Sequence, residues 1–303
     1  MINKKSMNQP IRIVTHNGIF HADELFAVAA LELYLGERLY DVVRTRDPEV
    51  IAIGDYVVDV GMEYDADLNR FDHHQRGGAG ERENGVPYSS FGLVWKKFGE
   101  QICGSSRVAE GVDRRLVQPI DMADNGLDVY RPLREDGLHP YLVHNVVVAF
   151  RPTWMEGESH DVAFREMVTL MRRLLEREII VERDNIAGEA LVERAYHEAP
   201  DKRLIVLEGS YPWHRVLSQY PEPLYVVKPK HQNTNWEIEA VRSDTHTFSN
   251  RKNLPAEWAG LTDGELSKVT GVPGSVFCHS KRYVAVAETK QATLELAQIA
   301  LSA

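Results

Sequence analysis

The chain has 303 residues, of which 43% are hydrophobic and 26% are charged, so it is long enough for two domains with separate hydrophobic cores. Its net charge of −10 argues against a protein that coats nucleic acid through a basic face. A nuclease is not excluded, because carboxylates that bind divalent cations are neutralised by them. We see no apolar run long enough to span a bilayer and no signal peptide, which predicts a cytoplasmic protein without a membrane partner.

The sequence contains two cysteines, Cys103 and Cys278, which lie far apart. This spacing gives no disulfide framework and no paired-cysteine zinc motif. A reducing compartment fits this usage.

The first third of the chain alternates between strand-like and helix-like patterns. An apolar run ends at His16, and a helical pattern follows from about His21. This alternation predicts a parallel sheet with helices on its faces. The predicted segments are a strand at 11–15, a helix at 21–36, a strand at 40–45, a helix from 47 and a strand at 56–60.

The rest of the chain predicts a surface loop, more helices and a second domain. A glycine-rich loop at 76–85 precedes helices at 90–98 and 106–123, and one or two long helices cover 161–198. After Pro200 the pattern changes to strands at 203–207, 224–227, 236–241, 275–279 and 283–286, closed by a helix from 290. The predicted fold class is α/β, with a parallel-sheet domain at 1–150, a helical connector at 151–200 and a smaller α+β domain at 201–303.

Imidazole and carboxylate side chains recur where the predicted strands end. In a parallel sheet these ends lie on one edge, so residues far apart in sequence converge there. Two divalent cations about 3.5–4 Å apart would need six or seven such ligands. Each motif alone also occurs in solvated loops or as a packed histidine. The residues are His16, His21, Asp23, Asp59, Asp72, His73 and His74.

The motifs resemble a known family of metal-dependent enzymes. Asp72-His73-His74, with the histidine and aspartate residues before it, resembles the DHH phosphoesterase superfamily. More closely, the chain resembles the Myg family (melanocyte-proliferating-gene-related) of DHH-like hydrolases. The matching stretches run from Thr15 to His279 and read THNGIFHADE, VRTRDPEV, VVDVG, RFDHHQRG, DMADNG, NRKNLPAEWAGL and GVPGSVFCH.

The resemblance implies a two-domain enzyme with two divalent metal ions in a cleft. The ions would be Mn in the first place, with Mg, Zn or Fe as alternatives, because His21 stands where the superfamily has an aspartate and imidazole is the softer ligand. Carried over, His16, His21 and Asp59 would hold one metal, Asp23, Asp59 and His73 the other, and Asp59 would bridge. His74 would lie near the reacting phosphate, and Asp72 would orient a histidine. The superfamily's fourth aspartate would be Asp121 or Asp124, and helix capping is an equally good role for either.

The resemblance also implies that residues 1–150 form a DHH-like metal-binding catalytic domain and that the second domain, residues 201–303, binds substrate. The candidate phosphate contacts there are Arg242, Arg251, Lys252, His279 and Lys281, with Arg76, Arg44 and Arg46 as candidates in the first domain. Trp236, Trp258 and Phe248 are candidates for base stacking, although Trp258 also suits a core position. Residues 280–287 depart from the family pattern, because they lack its glycine pair.

The resemblance and the motifs together favour a phosphodiester hydrolase. We expect a 3′-to-5′ exonuclease or oligoribonuclease that acts on RNA or short oligonucleotides through a metal-activated water. A phosphatase or pyrophosphatase for small molecules is the alternative within the same chemistry. A non-catalytic binding module with a structural metal is the alternative from another class. The sequence leaves a homo-oligomer open.

Overall fold

The computed structural model describes residues 9–128, 130, 139–157, 159–230, 234–244 and 249–303. The chain forms two compact units, Met1–Arg183 and Asp184–Ala303, called here the N-terminal and C-terminal units. Each contains one five-stranded sheet with helices, so the protein is α/β with two mixed sheets. The assignment of residues 1–150 to catalysis, 151–200 to a connector and 201–303 to substrate binding stays a prediction.

The N-terminal sheet has three parallel strand pairings and one antiparallel pairing at its edge. Its strands are β1 (Ile11–Thr15), β2 (Tyr40–Arg44), β3 (Tyr56–Val58), β4 (Tyr64–Asp65) and β5 (Arg70–Phe71), in the order β2-β1-β3-β5-β4. The pairs β1·β2, β1·β3 and β3·β5 are parallel, and β4·β5 is antiparallel. The sheet is therefore mixed, whereas the sequence predicted a parallel one.

The antiparallel edge arises from a tight turn between β4 and β5. The Asp65 carboxylate accepts hydrogen bonds from the backbone N–H groups of Asp67 (2.8 Å) and Leu68 (3.1 Å). Asn69 then adopts a positive φ of 57°, a conformation that asparagine tolerates. Such side chain to backbone bonds reverse the chain within a few residues, so two short strands pair without a crossover helix.

Helix α1 (Ala22–Leu35) forms the core of the N-terminal unit. Every side chain from 22 to 31 is buried, and the Phe26 ring stacks on the Phe91 ring of helix α3 (Ser90–Cys103) at a centroid distance of 5.0 Å. Burial of each such ring stabilises the fold by about 1.5–3 kcal/mol. The helices of this unit are α1 (Ala22–Leu35), α2 (Pro48–Ala52), α3 (Ser90–Cys103), α4 (Ser106–Val112), α5 (Gln118–Asp124), α6 (Val143–Ala149) and the first part of α7 (His160–Glu198).

The helix predicted at 106–123 contains a turn of π-helix, Asp113–Val117, between α4 and α5. Pro119, in the first turn of α5, has no N–H to continue an α-helical ladder, and a wider turn accommodates that gap. The region predicted as one or two long helices is the single helix α7 of 39 residues.

The C-terminal unit has a sheet with one parallel and three antiparallel pairings. Trp258 and Tyr225 are buried in the core on one face of the sheet. The elements are β6 (Leu204–Val206), α8 (His214–Leu217), β7 (Tyr225–Pro229), β8 (Trp236–Ala240), a 3-10 turn (Ala256–Trp258), α9 (Asp263–Thr270), β9 (Ser275–Cys278), β10 (Val284–Ala287) and α10 (Lys290–Ser302). The strand order is β6-β7-β8-β10-β9.

Within the described part of the chain, every helix is too short or too polar to cross a lipid bilayer.

Candidate metal centre

Three adjacent parallel strands of the N-terminal sheet each end in a metal-ligand type of residue. His16 follows β1, Asp59 follows β3, and Asp72 and His73 follow β5. Because β1, β3 and β5 are neighbours in the sheet, their carboxyl ends lie side by side. The loop after β1 and the first turn of α1 add His21 and Asp23 at the same edge.

Asp59 is the centre of this cluster. Its Oδ2 atom lies 3.2 Å from His16 Nε2, and its Oδ1 atom lies 3.4 Å from His73 Nε2 and 3.5 Å from His74 Nδ1. Ser90 at the start of α3 donates its hydroxyl to Oδ1 at 3.0 Å. The backbone of Asp59 has a φ of 57°, a strained conformation of the kind that clusters at functional sites. One carboxylate therefore contacts histidines from two different strands.

On one side of Asp59 lie His16, His21 and Glu24. The Glu24 Oε1 atom is 3.0 Å from His16 Nε2, and the Glu24 carboxylate accepts the His21 backbone N–H at 2.7–2.8 Å. Side-chain ligand atoms of these three residues and Asp59 lie within 4.8 Å of one another. The sequence analysis did not predict Glu24, because acidic residues are ordinary in the first turn of a helix and carry no separate signal there.

On the other side lie Asp23, His73 and Asp124. His73 Nε2 is 3.1 Å from Asp124 Oδ2 and 3.9 Å from Asp23 Oδ2. Asp23 is completely buried, and neither of its carboxylate oxygens has a hydrogen-bond partner among the described residues. A buried carboxylate without a partner costs several kcal/mol or more, so it calls for a cation or a proton.

The pKa shifts in the cluster reflect its closely placed negative charges. Burial raises the pKa of Asp23 well above its ordinary value, and the charges of Asp59, Asp124 and Glu24 raise it further. Burial lowers the pKa of His16, but its contacts with Asp59 and Glu24 outweigh burial and raise that pKa to about 10. His73 behaves alike: burial lowers its pKa, and Asp124 and Asp59 raise it to about 10. Divalent cations bind well to carboxylates and to imidazoles that have lost their proton, and this cluster contains four close carboxylates and several imidazoles.

Asp72 holds His74 at the rim of the cluster. Its Oδ1 atom lies 2.8 Å from His74 Nδ1 and accepts the His74 backbone N–H at 3.0 Å, while Oδ2 accepts the Met62 N–H at 2.6 Å. The hydrogen bond with Asp72 raises the pKa of His74. Asp72 is buried and His74 is exposed, so the aspartate orients a histidine that solvent can reach.

Asp121 and Asp124 have different surroundings. Asp121 is buried away from the cluster and accepts hydrogen bonds from Ser89 Oγ at 2.5 Å and Gly92 N–H at 3.0 Å, with Arg82 Nη1 at 2.8 Å. Asp124, one turn later on α5, lies next to His73 and groups with His21 and Asp23. Asp121 Oδ1 thus accepts two hydrogen bonds and Oδ2 forms an ion pair with Arg82, whereas Asp124 adds a carboxylate to the cluster.

The structure brings most of the candidate metal residues together, whereas the candidate basic residues differ in their local contacts. Arg76 is exposed beside the histidine pair, and Arg44 forms an ion pair with Asp161 at 2.5 Å. In the C-terminal unit Arg251 and Lys252 bond backbone carbonyls, whereas Arg242, His279 and Lys281 line one cavity. The clustered metal candidates are His16, His21, Asp23, Asp59, His73 and Asp124, and His74 groups with Asp59 and His73.

The candidates for base stacking also differ in position. Trp258 is 1% exposed and belongs to the core, so it packs and does not offer a surface. Trp236 is half-buried, with the Lys290 ammonium over its ring. Phe248 lies outside the described residues.

The fold and the cluster together define an α/β protein with a candidate metal centre at the edge of a mixed sheet. The model of the MYG1_exonuc family, described as an uncharacterised protein family (UPF0160), matches residues 12–301. The chain therefore belongs to this family.

Curated relatives match nearly the whole chain. MYG1 exonuclease of Bos taurus is 32% identical over 97% of this chain and 85% of its own length. MYG1 exonuclease of Homo sapiens is 30% identical over 99% of this chain and 88% of its own length. The MYG1 protein of Saccharomyces cerevisiae is 30% identical over 99% of this chain and 98% of its own length. The family and these named relatives support an exonuclease-type hydrolase.

Proposed function

We propose that the chain is a metal-dependent phosphodiester hydrolase of the DHH type, a 3′-to-5′ exonuclease or oligoribonuclease that acts on RNA or short oligonucleotides. Family membership supports the exonuclease activity. The observation that carries the metal dependence is Asp23, a fully buried carboxylate without a hydrogen-bond partner among the described residues, beside three other carboxylates. Manganese is the proposed metal, with Mg, Zn or Fe as alternatives.

The proposed centre would hold two cations, and Asp59 belongs to both ligand sets. His16, His21 and Asp59 would hold one, with Glu24 as an added ligand or as the group that orients both histidines. Asp23, Asp59, His73 and Asp124 would hold the other. The ligand atoms of His16, His21, Glu24 and Asp59 lie within 4.8 Å of one another, which supports the first set. His73 Nε2 lies 3.4 Å from Asp59, 3.1 Å from Asp124 and 3.9 Å from Asp23, which supports the second set. Asp121 is left out of the ligand set, because Ser89, Gly92 and Arg82 already occupy its oxygens.

Bound divalent cations would supply a nucleophile from water at neutral pH and withdraw charge from the phosphate. The chain's own residues hold and orient the reactants. His74, exposed and fixed by Asp72, donates a hydrogen bond to a phosphate oxygen at the rim. Arg76 beside it adds a positive charge, and Arg242, His279 and Lys281 of the C-terminal unit bind substrate. Arg251 is a weaker candidate, because its guanidinium bonds the carbonyls of Tyr220 and Pro223.

The test is hydrolysis of an end-labelled oligoribonucleotide by the purified chain with Mn. Asp59→Asn and His73→Ala should lower the rate at least about 100-fold, because each removes a proposed ligand. Asp41→Asn, an exposed aspartate on β2, is the matched control and should leave the rate unchanged. Equal rates for wild type and Asp59→Asn would refute the proposal.

The same assay separates the other functions. A phosphatase for small molecules would hydrolyse pyrophosphate or nucleotides and leave the oligomer intact. A binding module with a structural metal would retain one ion and hydrolyse none of these compounds. A cytoplasmic location and a homo-oligomer stay predictions from the sequence.

A further inference from the structure

The C-terminal unit contains a cavity of about 570 Å³, a volume typical of sites for small molecules. All the side chains that line it belong to this unit, and it contains none of the candidate metal ligands. It combines aromatic rings, a carboxylate and cations. The lining includes Trp213, His214, Glu239, Arg242, His279 and Lys281.

One wall of the cavity is an aromatic platform at the start of α8. The His214 ring stacks on the Trp213 ring with centroids 3.7 Å apart and planes inclined by 18°. Trp213 is buried and held by its indole N–H, whereas His214 is exposed. Partial burial of the imidazole lowers the pKa of His214, the charge of Glu239 raises it, and the charges of Arg242 and Lys228 lower it. An exposed imidazole held against an indole can stack on another flat ring.

A fixed carboxylate lies beside this platform. Glu239 on β8 accepts the Trp213 indole N–H at 3.2 Å, and the same oxygen lies 3.4 Å from Lys228 Nζ. Its side chain remains 23% exposed. An ionised carboxylate only accepts hydrogen bonds, so this wall of the cavity selects groups that carry N–H or O–H donors.

Cationic and donor groups line the same cavity. Arg242 and Lys281 supply positive charge. The His279 Nδ1 atom accepts the Lys281 backbone N–H at 3.0 Å, which leaves Nε2 as the donor of that ring. Such a group of donors suits a phosphate. A flat ring platform, an acceptor and a phosphate-binding group together match the three parts of a nucleotide.

We propose that this cavity binds one nucleotide of the substrate and that Glu239 makes it select guanine. The inference rests on the proposed function, which supplies a nucleic acid as the substrate. The guanine base would stack on His214 and present its N1–H and N2 amino donors to the carboxylate. Adenine and cytosine each have one amino group next to a ring acceptor, and uracil has one N–H between two carbonyls. Among these four bases, only guanine offers two adjacent hydrogen-bond donors on its Watson–Crick edge.

The test is titration of the full chain, with EDTA present to prevent hydrolysis, with GMP, AMP, CMP, UMP and inorganic phosphate. GMP should bind at least about 10-fold more tightly than the other three nucleotides, because hydrogen bonds to a charged group are strong. Glu239→Gln should weaken GMP about 10-fold or more and leave AMP within about twofold. Glu265→Gln, an exposed glutamate on α9, is the control and should change nothing.

Two further variants test the platform without removing the carboxylate. His214→Leu should weaken all four nucleotides and leave inorganic phosphate unchanged, and His214→Phe should restore nucleotide binding. Thermal melting of each variant checks that it folds. Equal binding of the four nucleotides by the wild type, or GMP binding that Glu239→Gln does not change, overturns the inference.

The failure of this inference can be told apart from failure of the proposed function. Asp59→Asn should abolish hydrolysis and retain GMP binding. A chain that binds GMP through Glu239 and hydrolyses no oligonucleotide would refute the proposed function alone. A chain that degrades RNA but binds the four nucleotides equally would refute guanine selection alone.

Discussion

Glu24 contacts two candidate metal ligands, His16 and His21, and no sequence motif predicted these contacts. It is completely buried, lies 3.0 Å from His16 Nε2 and accepts the backbone N–H of His21. These contacts fix the positions of two candidate ligands at once. A glutamine in its place keeps the size of the side chain and removes the charge.

We expect Glu24→Gln to weaken Mn binding about 10- to 100-fold, because partners that orient ligands contribute at this level. Titration of the metal-free chain with Mn measures the affinity. Glu37→Gln, an exposed glutamate after α1, is the control. An unchanged Mn affinity in Glu24→Gln would show that the carboxylate is not part of the centre.

The two cysteines are buried at different places, Cys103 in the N-terminal unit and Cys278 in the C-terminal unit. Burial raises the pKa of each thiol to about 11. Since the thiolate is the reactive form, neither should react with a disulfide reagent at pH 8 in the folded protein, and both should react in urea. Rapid reaction of the native protein would contradict this burial.

At the scale of elements, the approach of α3 to α5 depends on Gly92. A Cβ atom at this position would lie 2.0 Å from Asp121 Oδ2 and 2.7 Å from Asp121 Cγ. The Asp121 side chain cannot move aside without loss of stability, because it is buried and contacts Ser89, the Gly92 N–H and Arg82. Burial raises the pKa of Asp121 to about 6 even though these partners lower it.

Gly92→Ala should therefore lower the free energy of unfolding by about 1–3 kcal/mol, the usual cost of overpacking. Gly264→Ala on α9 is the control, since a Cβ atom there meets nothing within 4 Å. Urea unfolding of both variants measures the difference. Equal stability of Gly92→Ala and wild type would show that α3 can move to admit the methyl group.

The sequence predicted the long elements and some short ones, such as β3 and α2, but it missed the two-residue strands β4 and β5. Strand β1 and helix α1 have clear apolar patterns, and both lie where they were predicted. Strands β4 and β5 have two residues each, too few for an alternating pattern, so the antiparallel edge was missed. The glycine-rich segment at 76–85 was predicted as a surface loop, but Arg82 within it is tied to Asp113 and Asp121. A composition does not show such a tertiary contact.

The positions of the candidate site residues were also predictable only in part. Strand ends were predictable, so the sequence placed His16, Asp59 and His73 at one edge of the sheet, and the structure has them there. The different surroundings of Asp121 and Asp124 were not predictable, because they depend on Ser89 and Arg82, which reach Asp121 only in the fold.

At the scale of the whole molecule, the metal centre should couple to stability. Asp23 and its carboxylate neighbours repel one another in the absence of a cation, so folding without metal brings like charges together. A cation that binds only the folded state at 100 times its Kd adds about 2.7 kcal/mol of stability.

We expect Mn to raise the melting temperature by several degrees and EDTA to reverse the change. Thermal denaturation monitored by circular dichroism measures it. The Asp59→Asn variant should show a much smaller increase, because it lacks the shared ligand. A melting temperature that Mn does not alter would argue against a cation between these carboxylates.

The left-handed backbone of Asp59 decides how this position should be studied. Asparagine accepts a φ of 57° readily, whereas alanine there costs about 1–2 kcal/mol before any ligand is considered. An alanine scan would therefore mix a folding defect with a chemical one and overstate the catalytic role. Asparagine removes the negative charge while keeping the local conformation, and it is the substitution that isolates the chemistry.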